Sequence, residues 1–219
     1  MTKTHRWRST CIVVLGFVLL AAAGGAEYVG AIGGNVRVVE PGLVYRGAQL
    51  KGHHLQSFLE SRGIRSVVNL RGWAQGNADL REEAAICQRL GISHADVALS
   101  AVRLPAPDQL MRLLHAFDTL PRPMFIHCRG GADRSGLASA LYLAIVKGVP
   151  LEQAVGDQLT WRYGHLRNSQ AHPMDDFFDM YRSTSGGTPL RDWITNTYPK
   201  LYRKAQVPVQ SGPMRLRQE

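Results

Sequence analysis

Short apolar, β-branched runs alternate along the chain with longer segments of helical periodicity. Residues 64–70 (IRSVVNL) form a compact run that reads as a buried strand. Residues 35–50 read as extended, with Pro41-Gly42 as a turn. Residues 92–99 and the run opening at Met124-Phe125-Ile126 repeat the strand pattern. Helices are predicted over 53–62, where Leu55, Phe58 and Leu59 share a face, and over 79–90, 108–120, 135–146 and 151–163. Gly63, Gly91 and Gly148 stop three of them, and Pro150 precedes the last. Residues 174–204 look helical in pieces. This alternation predicts an α/β fold, a central and mainly parallel sheet flanked by helices. No internal repeat or second domain boundary is visible. The expected organisation is an N-terminal segment over 1–34, one domain over 35–204 and a flexible basic tail over 205–219.

The front end carries a different pattern. Residues 11–26 (CIVVLGFVLLAAAGGA) hold no charge, and Lys3, Arg6 and Arg8 precede them. The run is longer than a typical signal-peptide core and shorter than a full membrane span, though an extension to Ile32 completes a tilted helix. Gly24 and Ala26 also suit a cleavage site. The reading favours an uncleaved N-terminal apolar helix, a single-pass anchor, over a cleaved signal. The order of charges places the domain outside the cytoplasm in either case.

Charge then narrows the partners. The 219 residues carry 26 basic and 17 acidic side chains, net +9. Three of those positive charges precede the apolar run, and residues 191–219 add a net +4, leaving +2 for 9–190. The body is therefore not a basic nucleic-acid module, and no interleaving of aromatic and basic residues supports one. Three cysteines, Cys11, Cys87 and Cys128, are too few for a disulfide scaffold, so one that matters does so as a thiol.

One ten-residue segment concentrates the chemistry: His127-Cys128-Arg129-Gly130-Gly131-Ala132-Asp133-Arg134-Ser135-Gly136, between an apolar strand and an apolar helix. Five residues between cysteine and arginine let the chain curl with successive N–H groups inward, an anion nest at a helix N-terminus. Gly130 and Gly131 are expected to permit dihedrals and close approach that side chains would block. The same dipoles, with Arg134, favour a nucleophilic Cys128 thiolate. The Arg134 guanidinium suits two phosphate oxygens at once. Ser135 is placed to donate a hydrogen bond to the sulfur. Arg129, Gly130, Gly131, Ala132, Asp133, Arg134 and Ser135 are the expected phosphate-binding set. No clustered metal-ligand spacing occurs, so neither metal nor cofactor is expected.

The segment resembles the signature HCxxGxxR[ST]G of the cysteine-dependent protein tyrosine and dual-specificity phosphatases, with every fixed position filled. The resemblance spans roughly 36–170. It implies a tyrosine-phosphatase-like fold and hydrolysis of phosphate monoesters through a phosphocysteine on Cys128. The implied substrate is a phosphorylated protein, phosphotyrosine or dual-specificity, with a phosphoinositide or small phosphate ester as the alternative. From other classes, a rhodanese-like sulfurtransferase and a non-catalytic phosphate-binding module stay open. The family usually draws its general acid from a loop upstream of the nucleophile, here residues 100–108, yet no acid stands at Ser100 or Ala101. Asp133 is the first candidate, since myotubularins and some bacterial lipid-active phosphatases similarly place Asp just before the arginine. Asp108, which also reads as a helix N-cap, and Asp96 follow, with water or the substrate itself as the remaining proton source. His127 is expected to orient the loop, Arg71 to bind substrate or form an ion pair, and Arg103 to touch an anionic group of the substrate or stand solvated. Tyr163-Gly164-His165 reads as a packing and capping feature, and Cys87 as a core cysteine rather than a resolving thiol.

Overall fold

The computed structural model describes residues 34–74 and 76–206. The N-terminal apolar helix expected before residue 34 lies outside the described residues, as does the tail beyond Gln206. Among the described residues, no helix is long and apolar enough to cross a membrane.

Five strands form one mixed sheet: β1 (Arg37–Glu40), β2 (Val44–Ala48), β3 (Ser66–Asn69), β4 (Ser93–Asp96) and β5 (Met124–Cys128). Their order is β1-β2-β5-β3-β4. β1 runs antiparallel to β2, and the remaining pairings are parallel. The Pro41-Gly42 turn makes the antiparallel pair, closed by a Leu43 N–H to Glu40 O bond of 3.0 Å. The strand expected over 92–99 pairs regularly only to Asp96. Beyond it, Val97 and Leu99 still donate to Asn69 O and Leu70 O at 2.9 and 3.2 Å.

β5 is buried along its whole length. Alternate side chains of a strand face opposite ways, and two cores result. Val44, Val68, Leu70, Met124, Ile126 and Cys128 face one of them. That core is completed by α3 (Pro107–Thr119), α4 (Asp133–Ile145), α6 (Pro173–Thr184) and a C-terminal stretch. The stretch comprises α7 (Leu190–Asp192), a π-helical turn (Trp193–Thr197) and α8 (Tyr198–Gln206). Tyr45, Val67 and Phe125 face the other core, with Leu55 and Leu59 of α1 (Gly52–Ser61) and Ile86 and Cys87 of α2 (Ala78–Arg89).

Two expected helices differ from the sequence reading. Asp108 does not cap α3: Ala106 is the N-cap and Pro107 takes the first turn, where its fixed φ and missing N–H suit it. The helix expected over 151–163 ends early as α5 (Leu151–Gln158), followed by a 3₁₀ turn, Trp161–Tyr163. Its last carbonyl, Gln158 O, is taken at 2.6 Å by the Arg46 guanidinium instead of continuing the helix. Thr160 then caps the 3₁₀ turn through its side chain.

Candidate active site

Cys128 closes β5, Asp133 opens α4, and the four residues between form the loop. The apolar run forces β5 into the middle of the sheet, so Cys128 arrives at its carboxyl edge, where open α/β folds bind ligands. Cys128 is buried, with its Sγ 3.6 Å from Ser135 Oγ. Ser135 Oγ accepts from Arg46 Nη2 at 3.4 Å, which leaves the hydroxyl proton for the sulfur.

The loop is shaped from outside. Asn35 Nδ2 donates to Gly130 O at 3.1 Å and to Gly131 O at 3.0 Å. Arg46 Nη2 donates to Gly131 O at 2.9 Å and to Ala132 O at 2.7 Å. A planar trans peptide points its N–H away from its carbonyl. Drawing these three carbonyls outward therefore turns the N–H groups of Gly131, Ala132 and Asp133 into the loop, an anion nest. Gly131 has φ +68, and a Cβ there would stand 2.4 Å from Ala48 N, so only glycine fits. Gly130 differs from expectation: a Cβ there would meet nothing within 4 Å, because its face is open. Gly136 is needed for packing, since its Cβ would lie 2.7 Å from Leu159 Cδ2 and 2.9 Å from Gln158 O.

Arg46 was invisible as a site residue in the sequence. It is fully buried, and its Nη1 also grips Gln158 O and Gln158 Oε1 at 2.6 and 3.1 Å. Every direct partner is neutral. Burial pushes its pKa down to about 10, opposed by the charges of Cys128, Tyr163 and Asp133, so it stays cationic at neutral pH. It is a second fixed positive charge behind the nest. Arg134 supplies the first: its Nη1 donates to Leu99 O at 3.3 Å, while its Nε is buried without a protein partner among the described residues. Arg129 stands exposed on the outer wall.

His127 corrects the sequence reading. Its Nε2 bonds Glu83 Oε1 of α2 at 2.9 Å, not the loop. His94 Nε2 reaches the same oxygen at 2.9 Å. Burial would raise the Glu83 pKa, but the hydrogen bonds from His127 and His94 outweigh it and bring it down to about 2. A carboxylate only accepts, so both histidines donate. Gln49 Nε2 donates to Glu83 Oε2 at 3.2 Å, and Arg71 donates to Gln49 Oε1, so Arg71 braces this network instead of forming the expected ion pair. A depressed folded pKa stabilises above the unfolded value and is lost as pH falls through the folded one. The stability difference between wild type and Glu83→Gln is therefore expected to shrink by on the order of 3 kcal/mol between about pH 5 and pH 2. Urea titration at each pH checks it, and a pH-independent difference would contradict it.

The three acid candidates separate. Asp96 accepts from Asn69 Nδ2 at 2.7 Å, and Asn69 Oδ1 in turn accepts from the Arg71 N–H at 2.9 Å, so Asp96 braces the turn after β3. Asp108 lies exposed in the first turn of α3 and accepts from Gln109 Nε2 at 2.8 Å. Asp133 sits on the catalytic loop, half-buried, with its Oδ1 2.8 Å from His165 Nδ1. His165 Nε2 lies 2.9 Å from Asp175 Oδ2 of α6. Gly164 does end the 3₁₀ turn as expected, but His165 does more than pack. Cys87 lies in the opposite core from Cys128, and burial pushes its thiol up to about 12, so it is a core side chain. Arg103 is exposed after β4.

No curated protein matches the chain in sequence. Among solved structures, the core catalytic domain of the PP-IP phosphatase SIW14 from S. cerevisiae aligns with a TM-score of 0.53 at 16% identity, covering 71% of this chain and 94% of that one. PTPMT1 aligns with a TM-score of 0.50 at 16% identity, covering 68% and 98%. These likenesses establish the fold. The profile described as "tyrosine phosphatase family" matches residues 27–188, most of the chain and all of the site built above. With that match, the chain belongs to the tyrosine phosphatase family and is a cysteine-dependent phosphatase.

Proposed function

We propose that the protein hydrolyses phosphate monoesters on phosphorylated proteins through a phosphocysteine at Cys128. One observation carries this reading: Cys128 Sγ lies beside Ser135 under a loop whose carbonyls are drawn outward by Asn35 and Arg46. The sulfur attacks phosphorus in line with the leaving oxygen. The inward N–H groups and Arg134 bear the charge of the equatorial oxygens. Asp133 protonates the leaving oxygen, then takes a proton from the water that attacks the phosphocysteine. Ser135 donates to the sulfur as it leaves. Exposed Arg129 and Arg103 suit a substrate with further anionic groups, and exposed Trp73, which follows β3 at the same sheet edge, suits an aromatic one. Hydrolysis is favoured over sulfur transfer by the family match, and over mere phosphate binding because both Cys128 and Arg134 are present.

The full chain is expected to hydrolyse p-nitrophenyl phosphate in excess EDTA, to be inhibited by vanadate, and to be inactivated by iodoacetate unless phosphate is present. Phosphotyrosine and phosphoserine peptides are expected to outperform phosphoinositides and small sugar phosphates in kcat/KM. Loss of turnover in EDTA, or absence of oxyanion binding, would sink the phosphocysteine reading. Reversal of the substrate ranking would move the assignment to lipid or small-molecule esters.

A further inference from the structure

Behind the catalytic loop runs a chain of three ionisable side chains, Asp133, His165 and Asp175, drawn from the start of α4, the segment after the 3₁₀ turn and α6. His165 Nδ1 lies 2.8 Å from Asp133 Oδ1, and its Nε2 lies 2.9 Å from Asp175 Oδ2. His165 and Asp175 are both buried, whereas Asp133 is partly open to solvent on the loop side. Nothing in the mechanism above uses His165 or Asp175. A surface aspartate rotates freely. An aspartate whose one oxygen is fixed by a buried, doubly tethered ring does not.

We infer that His165, locked from behind by Asp175, is the positioning residue that aims Asp133 at the leaving oxygen. The inference rests on Asp133 being the general acid. Because both neighbours are carboxyl groups, both ring nitrogens donate. Burial would push the His165 pKa down, but the hydrogen bonds to Asp133 and Asp175 outweigh it and hold it above its ordinary value. The imidazolium proton on Nδ1 stays where it is throughout. It occupies Asp133 Oδ1 and leaves Oδ2 to carry the transferred proton. In the first step the S–P bond forms, the P–O bond breaks, and the Oδ2 proton passes to the leaving oxygen. Asp133 becomes a carboxylate, still accepting from Nδ1. In the second step that carboxylate takes one proton from water as the water oxygen attacks phosphorus and the S–P bond breaks. Asp133 is restored, and the thiolate with it. A misaimed Asp133 fails most where the leaving oxygen is most basic, since nitrophenolate departs with little help.

The test is kcat/KM over a series of aryl phosphates of increasing leaving-group basicity, for wild type, Asp133→Asn, His165→Gln, Asp175→Asn and the Asp133→Asn/His165→Gln double variant. Vanadate binding to each variant checks that the loop is intact. Asp133→Asn and His165→Gln are both expected to steepen the leaving-group dependence, with a loss of roughly tenfold or more for phenyl phosphate and little for p-nitrophenyl phosphate. Asp175→Asn is expected to show the same pattern more weakly. The double variant is expected to be no slower than Asp133→Asn alone, because His165 acts only through Asp133. A uniform loss across the series in both His165→Gln and Asp175→Asn, or additive losses in the double variant, would overturn the positioning role while leaving Asp133 as the acid. A flat response in Asp133→Asn would overturn the acid assignment and this inference with it. Should His165→Gln fail to fold, Asp175→Asn decides by the same criterion.

Discussion

Cys128→Ser is expected to lower turnover by roughly four orders of magnitude or more while leaving oxyanion binding nearly unchanged. That loss corresponds to about 5.5 kcal/mol of barrier. The side chain is buried, and serine is close to cysteine in size, so the loop has no reason to move. The inward N–H groups depend on Asn35 and Arg46, which hold the loop carbonyls from the other side. What disappears is the nucleophile. Sulfur is intrinsically the stronger nucleophile, and a serine hydroxyl without an adjacent general base does not replace it. Vanadate or phosphate affinity measured by calorimetry, beside single-turnover hydrolysis, reads both halves. Retained turnover in the serine variant would remove Cys128 from the chemistry. Lost oxyanion binding with retained fold would mean that the sulfur itself, rather than the backbone nest, holds the ligand.

Arg46→Met is expected to destabilise the protein by about 3–5 kcal/mol and to depress kcat by on the order of a hundredfold. The guanidinium spans from Gln158 at the end of α5 to Gly131 and Ala132 in the loop. Methionine fills much of the volume but leaves Gly131 O sharing only Asn35 and Gln158 O losing its Arg46 bond. Each buried acceptor left unpaired costs about 1–3 kcal/mol. Removing a buried cation recovers some desolvation energy, but that gain is smaller because the polar acceptors stay behind. With Gly131 O released, its peptide is free to turn and take an N–H out of the nest. Arg46→Lys keeps the charge but has a single ammonium that cannot bridge loop and helix, so an intermediate loss is expected. Urea unfolding and steady-state kinetics on the two variants check this. A stability change below about 0.5 kcal/mol together with an unaltered kcat would show that the loop holds its shape without Arg46.

The two cations have separable duties on this account. Arg134 projects from α4 with its Nε unpartnered among the described residues, and under the proposed function it is the one that takes the ligand. Arg46 has a buried Nε without a partner among the described residues too, but both of its Nη atoms are committed to the loop and to α5, so it acts as scaffold and as fixed charge. The family match covers both residues, so the division is open to comparison among members of the family.

The amino-acid order by itself determined the parts whose members are neighbours along the chain. The apolar run through Met124-Phe125-Ile126, the loop over 128–134 and the apolar helix after it lie in one stretch, so the candidate nucleophile, anion nest and gripping arginine were all legible there. Short apolar runs located β3 and β5, which are buried on both faces, and helical periodicity located most helices, because burial of one face imposes it locally. Asp133 was legible as an acid candidate for the same reason, being part of the loop. What only the tertiary structure decided is what holds that loop and the strand that leads into it. Asn35, Arg46, Glu83, His165 and Asp175 come from separate elements, and Arg46 meets Gln158 across 112 residues of sequence. Among 26 basic residues, nothing local distinguishes Arg46 from a solvated arginine. Its position in β2 turns it toward α4 and α5, and burial then obliges it to find acceptors. His165 likewise read as a capping feature beside Gly164, since a histidine's partners are set by which elements pack around it. The sheet order places β2 against β5, and that adjacency, which no local pattern encodes, turns a phosphate-binding sequence into a braced site.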